Sequence, residues 1–276
     1  MPSNYLQIKD LSCGYGSDFN LQPITVGLRR GALAGIIGPN GSGKTTLFKG
    51  ISGQLPLKSG SVWLNNCNLQ SLKLRQKAQR IAVVSQFVDA AEIRVEDYVL
   101  LGRLPYRAPF QFFEPQRDVL LARKYMRLTG IWKHRKKYLS QLSGGEQQLA
   151  AIAQSLTQEP ELLLLDEPTS HLDITHQVQV LNLIQRLNKE LKLTVLMIIH
   201  DLNLAAEYCD FLLMMKQGDI HSCGTPQEVL TYDRIEQVYN TVVVTQTNPL
   251  SGKPAVFLVS ENILNDIKAR YGKIKR

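Results

Sequence analysis

Nowhere does the sequence hold an apolar run near the roughly 20 residues that a helix needs to cross a bilayer. Its longest runs, at residues 162–165 and 194–199, are a fraction of that length, so no segment is expected to span a membrane unaided. Cysteine is sparse and scattered. Cys13, Cys67, Cys209 and Cys223 form no C-x-x-C pair and have no histidines at zinc-site spacing, which argues for reduced thiols rather than a disulfide framework or a zinc site. The start, Met1-Pro2-Ser3-Asn4-Tyr5, lacks the basic and apolar regions of a secretory leader, so a cytoplasmic location is the expectation. Internal repeats and low-complexity tracts are also missing.

What is present is the composition of an ordinary globular protein. The 276 residues are 44% hydrophobic and 20% charged, enough for one large buried core. Formal net charge is +8, with basic clusters at residues 73–80, 133–137 and 268–276. These would suit nucleic acid, an anionic membrane surface, or simply solvent, and charge alone does not choose among them.

Along the chain, residues 5–8 alternate like a half-buried strand, and residues 32–37 are a small apolar run that ends at a glycine, as a buried strand before a turn would. A glycine-rich loop follows. Residues 46–51 read as helix until Gly53 and Pro56 break it, and strand character returns at 61–64 and 81–85. Residues 95–157 are mostly helical, interrupted by a segment with Pro105, Pro109, Phe110, Phe112, Phe113 and Pro115 that suits a loop. The apolar runs at 162–165 and 195–199 fit central strands buried on both faces, with a helical stretch over 175–191 between them, giving a βαβ unit. Beyond Gly218 come a short strand, a helix over about 226–239 and a β-rich end with a turn at 248–252.

Two stretches carry chemistry. Gly38-Pro39-Asn40-Gly41-Ser42-Gly43-Lys44-Thr45-Thr46 satisfies G-x-x-x-x-G-K-[ST] between a predicted strand and a predicted helix. Its glycines let backbone N–H groups face phosphates, and the helix N-terminus adds a favourable dipole. Lys44 reaches the terminal phosphates and the Thr45 hydroxyl can ligate Mg²⁺. Downstream, an apolar strand ends in Asp166-Glu167, where Asp166 can hold the Mg²⁺ shell and Glu167 can polarise an attacking water.

Leu142-Ser143-Gly144-Gly145-Glu146-Gln147-Gln148 resembles the signature sequence of ATP-binding cassette (ABC) ATPases. Further stretches resemble that family in its order: Gln86 the Q-loop glutamine, Ser170-His171-Leu172-Asp173 the D-loop, and His200 the switch histidine, while Tyr15 is placed like the aromatic that stacks on adenine. The resemblance covers roughly residues 5–230. It implies an α/β fold: a phosphate-loop NTPase (RecA-like) core with an N-terminal antiparallel β subdomain and an inserted α-helical signature subdomain. On this reading the cassette spans 1–240, the helical insertion about 88–158, and a β-rich extension with a basic tail 241–276. It also implies ATP and Mg²⁺ as ligands, with Thr45, Gln86 and Asp166 around the metal. Ser143, Gly144, Gly145 and Asp173 would close on nucleotide held by a second copy of the chain. One departure is that many relatives carry basic residues in the signature helix where this chain has Gln147, Leu149 and Gln154.

Three classes compete within the family: the motor of a membrane transporter, a soluble single-cassette ATPase such as an iron–sulfur cluster assembly factor, and a degenerate regulatory binder. Retention of Glu167 and His200 argues against the last. Val99-Leu100-Leu101-Gly102-Arg103-Leu104-Pro105-Tyr106, Leu172-Asp173-Ile174-Thr175-His176-Gln177 and the stretch from His200 to Ala206 resemble importer ATPases for ferric siderophores, haem and cobalamin, with zinc or manganese import as the nearest alternative. That implies polytopic permease subunits as partners, a substrate-binding protein acting indirectly, and a place on the cytoplasmic face of the membrane. Positive charge would then lie beside an anionic leaflet, with no nucleic-acid partner required. Phe87, Val88 and Tyr98 are expected either in a groove receiving the permease or in the core.

Overall fold

The computed structural model describes residues 5–16, 19–86, 92–108 and 113–263. With elements numbered along the chain, β1 (Leu6–Ser12), β4 (Ile24–Leu28), β6 (Ser59–Leu64) and β7 (Cys67–Asn68) form an antiparallel sheet in the order β4-β1-β6-β7. A short ribbon of β2 (Gly14–Tyr15) and β3 (Phe19–Asn20) lies between β1 and β4 in sequence. The second sheet runs β12 (Asp219–Gly224), β11 (Phe211–Lys216), β5 (Leu33–Ile37), β10 (Thr194–Ile198), β9 (Leu162–Leu165), β8 (Ile81–Val84). Its neighbours are parallel except β12, which is antiparallel to β11.

The central strands β5, β10 and β9 are buried at every position, and apolar but for Thr194 at the start of β10, because both faces are covered. Leu163, Leu165, Val195, Met197 and Ile37 point into one core, and Leu162, Leu164, Leu196, Ile198 and Ile36 into the other, the period-two alternation of a strand. The second core is filled by α1 (Lys44–Ser52) and the antiparallel sheet. The first is covered by α3 (Val95–Leu100), α4 (Gln116–Leu128), α5 (Gly144–Thr157), α6 (Ile174–Leu191) and α7 (Leu202–Tyr208). It is extended by α8 (Pro226–Val229), α9 (Tyr232–Tyr239) and a hairpin of β13 (Val243–Thr247) and β14 (Pro254–Leu258), which bury Val229, Ile235, Val238, Val243 and Val256 in it, while α2 (Leu74–Ala78) lies outside.

Several expectations shift. The first helix begins at Lys44, two residues early, because the phosphate loop itself caps it. The predicted helix over about 226–239 is two: α8 stops at Leu230 and Thr231 is extended before α9. Pro105, expected in a loop, lies in a 3-10 turn spanning Leu101–Tyr106. It is the fifth of the turn's six residues, so the N–H it lacks is the one that would bond back to residue 102. Strands β4 and β11 were not expected at all. Tyr98 packs against the first core. Phe87, Val88, Pro109, Phe110, Phe112, the basic cluster at 268–276 and residues 1–4 lie outside the described residues. Each of the four cysteines is a free thiol.

Candidate nucleotide site

The register of the parallel sheet places four strand ends side by side. Val84 pairs with Leu165, Leu165 with Met197, and Ile198 with Ile36. The residues that follow β8, β9, β10 and β5 therefore emerge at one carboxyl edge: Gln86, Asp166-Glu167, His200 and the loop from Gly38. Crevices at that edge are where open α/β sheets bind ligands.

Gly38, with φ +148°, approaches Met215 so closely that a Cβ would sit 2.5 Å from its carbonyl oxygen and 2.8 Å from Ser42 Oγ. Gly43 caps α1 at φ +100°, and a Cβ there would meet Leu21 at 2.7 Å and Phe19 at 3.0 Å. Both positions demand glycine. The loop so formed includes Pro39, Asn40 and Gly41, and leads into Thr45, exposed, and Thr46, buried. Lys44 is 5% exposed and folds back, its Nζ donating to Gly38 O at 2.8 Å and Pro39 O at 2.9 Å. Burial pulls the ammonium pKa down, and the negative charge of Glu167 acts the other way. Two of its three N–H groups are used. Ser42 Oγ is buried with no hydrogen-bond partner among the described residues. An anion lying in this cradle would meet the backbone N–H groups of a helix start and a desolvated cation.

Glu167 sits at the centre of the opposite wall. Its Oε2 accepts the Gln86 amide at 2.8 Å, and its Oε1 lies 2.5 Å from His200 Nε2. Its backbone is left-handed, φ 50°, a conformation of some strain in a glutamate. Burial pushes the Asp166 carboxyl above its usual range, the charge of Glu167 adds to this, and Lys49 and His200 oppose it. Two adjacent half-buried carboxyl groups with this imbalance fit a bound divalent cation.

Ser143, Gly144, Gly145 and Asp173 form a separate group. Ser143 caps α5: its Oγ accepts the Glu146 N–H at 3.4 Å while Glu146 Oε2 accepts the Ser143 N–H at 3.0 Å, a capping box. Asp173 caps α6 by accepting the His176 N–H at 2.9 Å. That bond holds its carboxyl below the usual range. A Cβ on Gly145 would meet His176 Cδ2 at 2.6 Å, so the two caps pack on each other. Among the described residues none of their hydrogen bonds or ion pairs reaches Lys44, Glu167 or His200. Tyr15 is 47% exposed on the β2–β3 ribbon, whose Phe19 packs beside the phosphate loop.

Structure adds residues that sequence patterns do not single out. Lys49, further along α1, is a counter-charge of Asp166. Tyr239 of α9 lies with its buried hydroxyl against the Gly38 backbone, and burial pushes the phenol up to about 12. Asn203, in the first turn after His200, brackets the backbone of Val256 in the hairpin, accepting its N–H at 2.7 Å and donating to its carbonyl at 3.1 Å. Neither had a local signal, because the partners are 201 and 53 residues away. Of the departures in the signature helix, Gln147 donates to the carbonyls of Leu139 and Leu142 before Ser143, and Leu149 is buried. Both serve packing within the chain.

The chain matches the ABC transporter family over residues 21–170, more than half its length. It is 34% identical to the iron(3+)-hydroxamate import ATP-binding protein FhuC of Bacillus subtilis (strain 168) over 95% of this chain and 97% of that protein. It is 35% identical to the ferric enterobactin transport ATP-binding protein FepC of Escherichia coli (strain K12) over 91% and 93%. An uncharacterized ABC transporter ATP-binding protein, YvrA of Bacillus subtilis (strain 168), is 37% identical over 93% of this chain, which spans 58% of its length. Among solved structures, cbiO1 from Clostridium perfringens, part of the ABC transporter complex cbiONQ, superposes with a TM-score of 0.75 at 28% identity, covering 86% of this chain and 94% of that one. An ABC transporter in an inward-facing conformation shares the fold at a TM-score of 0.82 and 24% identity, over 95% of this chain and 100% of that one. With its phosphate loop, adjacent acids and signature helix on one scaffold, the chain belongs to the ABC transporter family of ATP-binding proteins.

Proposed function

We propose that the chain is the ATP-hydrolysing subunit of an importer for a metal chelate, of the ferric siderophore, haem or cobalamin type, working on permease subunits at the cytoplasmic face of a membrane. The observation that carries the catalytic part is Glu167, held between Gln86 and His200 and within electrostatic reach of Lys44. The cargo class is supported by relatives named for iron(3+)-hydroxamate, ferric enterobactin and cobalamin import. Among the described residues no helix is long and apolar enough to cross a membrane, which accords with a subunit that needs separate permeases.

In this reading the loop from Gly38 to Thr46 binds the phosphates of ATP and Lys44 turns its free N–H toward them. Tyr15 offers its exposed ring to the adenine. Thr45, Gln86 and Asp166 would hold Mg²⁺, which supplies charge neutralisation to the β- and γ-phosphates when bound. Glu167 orients and deprotonates the attacking water, and His200 keeps Glu167 in place and senses the γ-phosphate. Ser143, Gly144, Gly145 and Asp173 complete the site of a second copy, which explains their distance from the Lys44 cluster. ATP then holds two subunits together, and loss of its γ-phosphate releases them.

The test is the Glu167→Gln variant incubated with ATP and Mg²⁺. Size-exclusion chromatography should show a dimer that the untreated variant lacks, and mild detergent extraction of the native protein should recover a polytopic permease. Recovery with ribosomes or a soluble scaffold instead would overturn the transport reading.

A further inference from the structure

Glu146, the acid after Ser143-Gly144-Gly145, faces two ways. Its Oε2 accepts the Ser143 backbone N–H at 3.0 Å and takes the Ser143 hydroxyl as donor at 3.2 Å. Its Oε1 lies 2.8 Å from Nε2 of His134, a side chain only 12% exposed at the end of the 3-10 turn Ile131–His134. Both imidazole nitrogens are buried and neither has a hydrogen-bond partner among the described residues; the contact with Glu146 is an ion pair when the imidazole is protonated. Glu146 is held below the usual carboxylate range, chiefly by the Ser143 N–H, with His134 and Lys137 contributing.

An ionised acid at this place conflicts with the role given to Ser143 above. To bind the γ-phosphate held by a second copy, the Ser143 hydroxyl must turn its proton from Glu146 to a phosphate oxygen, and a bare carboxylate would both keep that proton and repel the phosphate. A cation beside the carboxylate would weaken both effects. We propose that His134 is a positioning residue that acts through Glu146: in its protonated form, 2.8 Å from Glu146 Oε1, it offsets the carboxylate charge and frees the Ser143 hydroxyl for the γ-phosphate of the partner's ATP. The inference rests on the two-copy reading of Ser143. It goes beyond that reading in giving a histidine with no phosphate contact control over how readily ATP joins the subunits.

The experiment is a double-mutant cycle on the full chain, with ATP titrated against phosphate release. His134→Asn should raise the ATP concentration for half-maximal turnover roughly three- to tenfold, with little change at saturating ATP. His134→Lys, which keeps a cation, should restore it toward the native value. In the Glu146→Gln background, His134→Asn should add nothing, because no charge remains to offset. An equal effect in both backgrounds would show a packing role and overturn the proposal, as would no effect in the native background. Thermal melting of each variant identifies any that fails to fold; His134→Gln, closer in volume to histidine, then takes the place of His134→Asn. Ser143→Ala is a separate arm read by the ATP-held dimer of Glu167→Gln. If that dimer survives without the serine hydroxyl, the two-copy reading of Ser143 is what fails, whatever His134 does.

Discussion

Glu167 holds a left-handed backbone, φ 50°, and ties its two carboxylate oxygens to Gln86 and His200. A side chain fixed in this way is aimed before ligand arrives, so its removal should affect the chemical step more than binding. Glu167→Gln is expected to slow hydrolysis by about 100-fold or more while leaving ATP binding within a fewfold, measured by phosphate release alongside fluorescent-nucleotide titration. Lys44 presents the opposite case. Its ammonium is desolvated, with burial drawing its pKa down, and phosphate oxygens would restore the partner it lacks. Lys44→Ala should weaken ATP binding by about 1.5–3 kcal/mol, the worth of a hydrogen bond to a charged group, and the same titration reads it. Both residues were legible in the sequence: Lys44 closes the glycine-rich loop that follows one short apolar strand, and Glu167 ends the acid pair that follows another. Lys49 and Tyr239 were not, because their place at the site depends on which elements pack together.

The turn Leu101–Tyr106 and its surroundings show an element whose sequence pattern was read one way and whose structure has another use. The G-R-x-P-Y pattern suggested a family trait of certain importers. In the fold, Gly102 approaches Gln154 O so closely that a Cβ would lie 2.2 Å from it. Arg103, 3% exposed, pairs with Asp118 at 2.9 Å and donates to Thr157 O at 3.0 Å, with its guanidinium 3.9 Å over the Tyr106 ring. The Tyr106 hydroxyl in turn reaches the carbonyl of Gln158 at 3.0 Å, and Arg75 of α2 donates to Pro105 O at 2.7 Å. The element therefore fastens α2, α4 and the end of α5 together just before β8, whose end carries Gln86. Breaking a buried pair leaves a charge unpaired, so Arg103→Ala should destabilise the fold by about 3–5 kcal/mol, read as a lowered urea midpoint. A native midpoint would mean that the pair contributes nothing to the fold. Burial this deep was not visible in a stretch whose prolines and glycine signalled a loop.

Across the whole molecule, a cluster at the edge opposite the site joins the two sheets. Glu161, before β9, accepts Tyr5 Oη at 2.9 Å and Asn65 Nδ2 at 3.3 Å and pairs with Arg80. Burial alone would raise its pKa, but bonds from Arg80 and Tyr5 hold the carboxyl below its usual range. A depressed folded-state pKa stabilises above the unfolded value near 4.5, and that stability is lost as pH falls through the lower folded value. The pair is partly exposed and screened, so the effect is modest. The native protein should lose urea resistance between about pH 5 and 3 more steeply than Glu161→Gln, as midpoints at pH 7, 5 and 3.5 would show. An identical slope in both would mean that Glu161 titrates normally. At the same scale, what the sequence decided by itself was local: a glycine-rich loop between strand and helix, acids after a strand, a capped helix at Ser143, and apolar runs suited to a two-faced sheet. These follow from short-range rules of backbone conformation and periodicity. Tertiary structure decided the rest: the strand order that gathers Gln86, Glu167, His200 and Lys44 at one edge, the separation of Ser143 from them, and the burial of Arg103 and His134. Those depend on contacts between residues far apart in the chain, whose free energies no local pattern carries.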